Sequence, residues 1–270
     1  MKITFRMLLA AFFVAAAVSC GKDGPYDPAK GDGNGHGTGD VTAEYTVDKD
    51  GYATYEYQGF TYKFKKDVIN TDAAKKAMAK VRSDIDQIIT LIPESAVKVM
   101  QGKPIWFEKN NDKNSSAAWY HRGSGSGLAY GGLAAKEKCV EITNYEYYVS
   151  WTAQNQPFMV LHELCHLYHD QGLGGDGNND IKMAYTNAKN KGLYTTYYYR
   201  TSLSDSKGTE YTEGGSNKAY CMTDAWEFFA EMCEAYWGEN DYFPFNYMQL
   251  RDHDATAFAL MEKIWGKRFE

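Results

Sequence analysis

Between residues 45 and 65 aromatic and β-branched residues alternate with polar ones, in "YTVDKDGYATYEYQGFTYKFK". Alternation at period two lines one face of a strand with apolar side chains. Asp50-Gly51 and Gln58-Gly59 break the run with residues that accept tight-turn geometry, so the stretch predicts a hairpin. The period then changes. Over residues 72–92 the positions Ala77, Val81, Ile85, Ile88, Ile89 and Ile92 follow helical spacing, and Pro93 ends the helix. "KPIWFE" (103–108) reads as a buried strand, and "KCVEITNYEYYV" (138–149) as another. Between them "WYHRGSGSGLAYGGL" (119–133) is a glycine-rich loop with strand-like ends.

Helical spacing returns after Pro157, a residue suited to the first turn of a helix. Residues 172–215 are polar and rich in glycine, asparagine and tyrosine, with one helix expected over 180–191. Further helices are expected over 223–237 and 255–265. Strands come first and helices later, without internal repeats. The order predicts an α+β body: a small N-terminal mixed β-sheet lobe, a central motif helix and a helical C-terminal lobe.

Composition adds two segments that the periodicity does not assign. "MKITFRMLLAAFFVAAAVSC" carries Lys2 and Arg6, an apolar run too short to span a bilayer, and small residues before a cysteine. Residues 1–19 therefore read as a lipoprotein signal peptide and Cys20 as the lipidated residue; ordinary secretion, with Cys20 discarded or free, is the alternative. Residues 20–40 alternate glycine with small polar residues and read as a flexible tether. The expected location is the bacterial cell envelope, with a lipid anchor in the outer membrane or at the cell surface. Residues 41–270 suffice for one domain. A net charge of −6 without any basic block argues against nucleic acid as a partner, and a monomer is expected. Cys139, Cys165, Cys221 and Cys233 include no C-x-x-C pair, which disfavours a thiolate metal site. An envelope location leaves three possible disulfide pairings open.

The candidate chemistry lies in "LHELCHLYHD" (161–170). His162 and His166, four apart, share one helix face and can meet a single ion, expected to be Zn2+. Glu163, one position round, suits a general base acting on a water. Leu161, Leu164, Cys165 and Tyr168 form the opposite, core-facing side, with Cys165 a small buried filler. The competing reading is a structural histidine pair. A catalytic zinc needs a third protein ligand. The metzincin continuation fails, because His169 and Gly172 stand where glycine and histidine belong. Asp176 is a candidate, although aspartate among glycines more often serves turns. "TDAWEFFAEMCEAYWG" (223–238) offers Glu227, Glu231 and Glu234 beside an apolar stripe. A solvated acidic face, or a capping box of Asp224 with Glu227, explains the same pattern.

His162-Glu163-x-x-His166 followed by "EFFAE" resembles the zincin branch whose third ligand is a glutamate on a downstream helix, most similarly the catalytic domain of the anthrax lethal factor type. "QPFMVLHELCHLYHD" with "AYCMTDAWEFFAEMCEAYWGENDYFPF" also resembles a group of predicted zinc metallopeptidases carrying the same two blocks. The resemblance implies a zincin-like fold and hydrolysis of peptides or proteins, with Glu227 the third ligand and Glu231 orienting a ligand histidine. It implies that Tyr220 donates a hydrogen bond to the developing oxyanion. The long interval from His166 to Glu227 departs from the lethal-factor pattern and bears on the shape of the cleft. A non-catalytic, zinc-containing binding lipoprotein is the alternative; zinc scavenging is a weaker third reading.

Other residues are assigned bland roles. His169 and Asp170 are expected in a helix C-terminal turn near solvent, and His121 is expected to be exposed. Residues 140–148 are nominated as an edge strand able to bind extended substrate. The tyrosine run at 194–200 either lines a substrate surface or packs.

Overall fold

The computed structural model describes residues 46–109, 117–123, 133–215 and 217–268. The expected signal peptide, Cys20 and the 20–40 tether lie outside the described residues, as does most of the glycine-rich loop. The described chain opens with β1 (Tyr52–Tyr57) and β2 (Phe60–Lys65), paired antiparallel. Gln58 and Gly59 connect them with φ of 50° and 74°, the two positive values that a two-residue hairpin turn requires. Gly59 is also needed for space: an added Cβ would stand 2.6 Å from the Gln101 side-chain nitrogen. That amide donates to the Gln58 carbonyl at 2.8 Å.

Next come α1 (Asp72–Leu91), α2 (Glu94–Met100), β3 (Ile105–Phe107), β4 (Trp119–Tyr120) and β5 (Val140–Ile142). The five strands form one mixed sheet in the order β1-β2-β3-β5-β4, parallel from β2 through β3 to β5, with β4 antiparallel at the edge. One face carries Phe60, Tyr62, Phe64, Ile105, Phe107, Val140 and Ile142, all buried in the main core. Phe64 stacks on Phe107 at 4.0 Å. The α1 stripe of Ala77, Val81, Ile85 and Ile88 enters the same core.

The opposite face is also covered, by a polar cluster. Lys136 is buried and donates to Glu108 and Glu141, both at 2.7 Å. Glu108 accepts from Tyr52, and Glu141 meets the buried His121 ring at 2.5 Å. His121 is therefore a core residue and not the exposed histidine expected.

The expected strand over 138–149 divides. Its alternation ends at Thr143, because Asn144 accepts from the backbone N–H of Glu146 and Tyr147, both at 3.0 Å, and starts α3 (Tyr145–Gln154). A side-chain cap competes with strand continuation at that point. Since β4 covers β5, the edge strand nominated for substrate at 140–148 is instead an interior strand and a helix.

The motif helix, α4 (Met159–Gln171), begins two residues beyond Pro157. After it come α5 (Asn179–Lys191), β6 (Thr196–Tyr199), β7 (Thr209–Thr212), α6 (Ala225–Trp237), α7 (Tyr247–His253) and α8 (Ala255–Trp265). The β6–β7 hairpin was not foreseen in the polar segment; Tyr197 of the tyrosine run packs at 5.5 Å on Tyr211 across it. The result is a mixed α/β fold with a small mixed sheet, the β6–β7 pair and eight α-helices among the described residues. Cys139, Cys165, Cys221 and Cys233 are buried free thiols, so none of the open pairings is formed. No described helix is long and apolar enough to cross a membrane.

Candidate metal centre

The site forms where α4 lies against α6. Leu161, Leu164 and Cys165 on the back of α4 are fully buried, which turns His162 and His166 toward α6. Their rings lie 4.8 Å apart, nearly perpendicular. On α6, Asp224 is the N-cap, accepting from the N–H groups of Trp226 (2.8 Å) and Glu227 (3.0 Å). The helix start is thus fixed by Asp224, while the Glu227 carboxylate is directed at α4. Glu227 Oε2 stands 3.0 Å from His162 Nε2 and 3.3 Å from His166 Nε2.

Those separations suit a metal. Ligands about 2.0–2.1 Å from a tetrahedral zinc lie ~3.3 Å from one another. Two imidazole nitrogens and a carboxylate oxygen are one of the known catalytic zinc donor sets, in which a fourth position stays open. The residues present therefore fit the ion.

Electrostatics also favour a cation at this point. Burial alone would depress the His162 pKa, yet hydrogen bonds to Glu227 and Glu234 hold it well above the usual histidine value. Burial would raise Glu227, but the charges of His166 and His162 bring it well below the usual carboxylate range. The carboxylates thus favour positive charge on His162.

Behind His162 the acidic stripe proves to be interior. Glu234 Oε1 lies 3.2 Å from His162 Nδ1 and Glu231 Oε1 3.7 Å. Both glutamates are buried. Glu231 accepts a hydrogen bond from Asn240 at 3.0 Å. Burial, then the charges of Glu234 and Asp241, raises its pKa well above normal. Burial also raises Glu234, and it pushes Asp241 up to about 7 with help from Glu234. The residue nearest the outer nitrogen of His162 is thus Glu234, with Glu231 half an ångström farther. Sequence reading placed Glu234 in the stripe without a role. Its position seven residues after Glu227, two helical turns on, was the available signal.

A cavity of about 690 Å³ opens over the three donors. Glu163 lines it, half-buried; burial raises its pKa against the pull of His162 and His166. Tyr220, in a short turn at Tyr220–Met222 ahead of α6, also lines it, with its ring 6.0 Å from that of His162. Burial, then the charges of Glu227 and Glu163, raises the Tyr220 phenol and keeps it protonated as a donor. The chain just before and through β4, together with Trp151 of α3, forms the facing wall.

Three expectations change. Asp176 takes no part in the donor cluster; it accepts from the Trp226 indole at 2.8 Å and from Arg122 at 3.1 Å. His169 is buried rather than near solvent, its ring 4.2 Å from that of Trp226. Burial, reinforced by His166, lowers its pKa to about 4. Asp170 accepts from the Tyr120 hydroxyl at 2.7 Å and from Lys138 at 2.5 Å, tying β4 to the end of α4. Apolar packing at the last turn of α4 outweighs the tendency of a helix end to be solvated. Compared with known proteins, the chain matches no protein-family profile, no curated protein sequence and no solved structure.

Proposed function

We propose that the protein is a zinc-dependent metallopeptidase of the zincin type with a glutamate third ligand, tethered to the bacterial envelope through Cys20 and acting on peptide or protein substrates. One observation carries this reading: two imidazole Nε2 atoms from one helix and a carboxylate oxygen from another converge at the base of a cavity that Glu163 also lines. The structural His121 meets one carboxylate by itself, whereas here two imidazoles face one carboxylate oxygen. The mixed sheet next to the motif helix is compatible with a zincin-like arrangement.

Zinc held by His162, His166 and Glu227 would supply Lewis-acid polarisation of the scissile carbonyl and a water of lowered pKa. The chain's own residues do the rest. A carboxylate oxygen of Glu163 accepts the proton released by the attacking water and returns it to the leaving nitrogen. The Tyr220 hydroxyl donates a hydrogen bond to the carbonyl oxygen as charge develops there. Glu234, with Glu231 behind it, accepts from His162 Nδ1 and so presents the Nε2 lone pair to the ion. The aromatic walls of the cavity, Trp119, Trp151 and Trp226, exclude water from bound substrate.

The test is cleavage of a peptide library by the full chain, read by mass spectrometry, beside a Glu163→Ala control and a zinc determination on the same preparations. Cuts made by the wild type and missing in the control support the peptidase. Zinc-loaded, folded protein that makes no cuts favours a non-catalytic binding lipoprotein instead.

A further inference from the structure

We propose that Arg122 is a carboxylate-binding subsite of this cavity. Preferred peptides would then carry an Asp or Glu side chain, or a free C-terminus, at one fixed position. The inference rests on the reading of the cavity as a peptide site.

Arg122 lies two residues beyond the end of β4 and lines the cavity. Its guanidinium lies 4.1 Å from the centroid of the Trp226 ring. Trp226 is itself fixed, because His169 packs on it and its indole N–H donates to Asp176 Oδ1 at 2.8 Å. Asp176 also accepts from Arg122 Nη2, at 3.1 Å and 3.2 Å to its two oxygens. One aspartate thus clips the tryptophan and the arginine into a single unit.

The clip uses one corner of the guanidinium. Asp224 stands 3.9 Å from Nη1, beyond hydrogen-bond distance. The Arg122 side chain is 45% exposed and that of Asp176 70% exposed, so their ion pair contributes little and yields readily to a better partner. A carboxylate taken in parallel along either edge of the guanidinium, by Nη1 with Nη2 or by Nε with Nη2, would be such a partner, since the fork is planar and already ordered by stacking.

The surroundings single out this position. The other charged side chains lining the cavity are His162 and His166, assigned to the ion, and carboxylates such as Glu163, Glu227 and Asp224. A substrate carboxylate is repelled along those walls and attracted at Arg122. Specificity arises from both effects.

The test uses the full chain as its Glu163→Gln variant, zinc-loaded and immobilised, to capture a degenerate hexapeptide library made with free and with amidated C-termini. Enrichment of Asp and Glu by about tenfold at one position, or of free over amidated C-termini, is the expected result. The two arms identify which source of carboxylate is used. In an added Arg122→Gln substitution that enrichment should fall to within about twofold, while near-ultraviolet circular dichroism reports whether the Trp226 packing survives. Should that variant fail to fold, Arg122→Lys, which keeps the charge and loses the fork, should lower the enrichment to an intermediate value. Capture without carboxylate preference, preference that persists in the Arg122 variants, or no capture at all overturns the proposal. Because capture does not require turnover, discrimination without cleavage by wild type would sink only the peptidase reading, and cleavage without discrimination only the Arg122 subsite.

Discussion

Among the described residues, a cluster of ionisable groups on the sheet and another between α4 and α6 are built on opposite plans. On the outer face of the sheet Glu108 and Glu141 share the Lys136 ammonium; Tyr52 donates to the same Glu108 oxygen, and His121 meets the other oxygen of Glu141. Between α4 and α6, Glu163, Glu227, Glu231, Glu234 and Asp241 gather round two histidines. None of these carboxylates forms an ion pair with lysine or arginine among the described residues. The first cluster carries its own counter-charge. The second has only its two imidazoles to set against five carboxyl groups. The contrast fits the proposal that the second cluster is a metal site.

The sharpest way to break the comparison is at Glu163. Glu163→Gln should lower peptide cleavage by about 10³-fold or more while zinc content stays at one ion per chain. Retained cleavage would remove the general base from the mechanism. Next in size is the outer cluster: Lys136→Met leaves the buried Glu141 and the half-buried Glu108 without their shared cation and should cost about 3 kcal/mol in urea unfolding. A cost near zero would mean that the network is far better solvated than its burial indicates.

The third test concerns pH. His169 titrates at about 4 in the folded chain against an ordinary value of 6.5, because burial, then His166, disfavours its charge. The unfolded chain takes up a proton that the folded one refuses. This contribution to stability is therefore complete above pH 6.5 and is lost as pH falls toward 4, by at most about 3 kcal/mol. His169→Gln should flatten the acid-side slope measured by urea unfolding between those values. An unchanged slope would assign the acid sensitivity to other groups.

The smallest effect separates the two glutamates behind His162. Glu234→Gln should weaken zinc binding about 10–100-fold in chelator competition, and Glu231→Gln less. The reverse order would return the orienting role to Glu231, as the resemblance to the zincin branch implies.

Much of the fold was legible because its signals are local. The hairpin at Gln58-Gly59, the α1 stripe, the α5 and α8 spans and the Asp224 cap depend on neighbours a few residues away. The errors share a different origin. Residues 140–148 alternate well enough for a strand, and only the pairing of β4 with β5, together with the Asn144 cap, shows why they do not form an edge. The β6–β7 hairpin carries too little apolar alternation to be visible, since its partners include Tyr242, far along the chain.

By itself the sequence determined that His162 and His166 share a helix face with Glu163 beside them, and that three glutamates recur on one face of a later helix. Helical geometry dictates both through contacts one or two turns apart. Only the tertiary structure decided that Glu227 meets His162 from 65 residues away, that Glu234 lies nearer than Glu231 to the outer nitrogen, and that His121 and His169 are buried. Those outcomes depend on how α6 seats against α4 and β4 against β5. That seating is set by the summed packing of side chains distant in sequence, which no local pattern encodes.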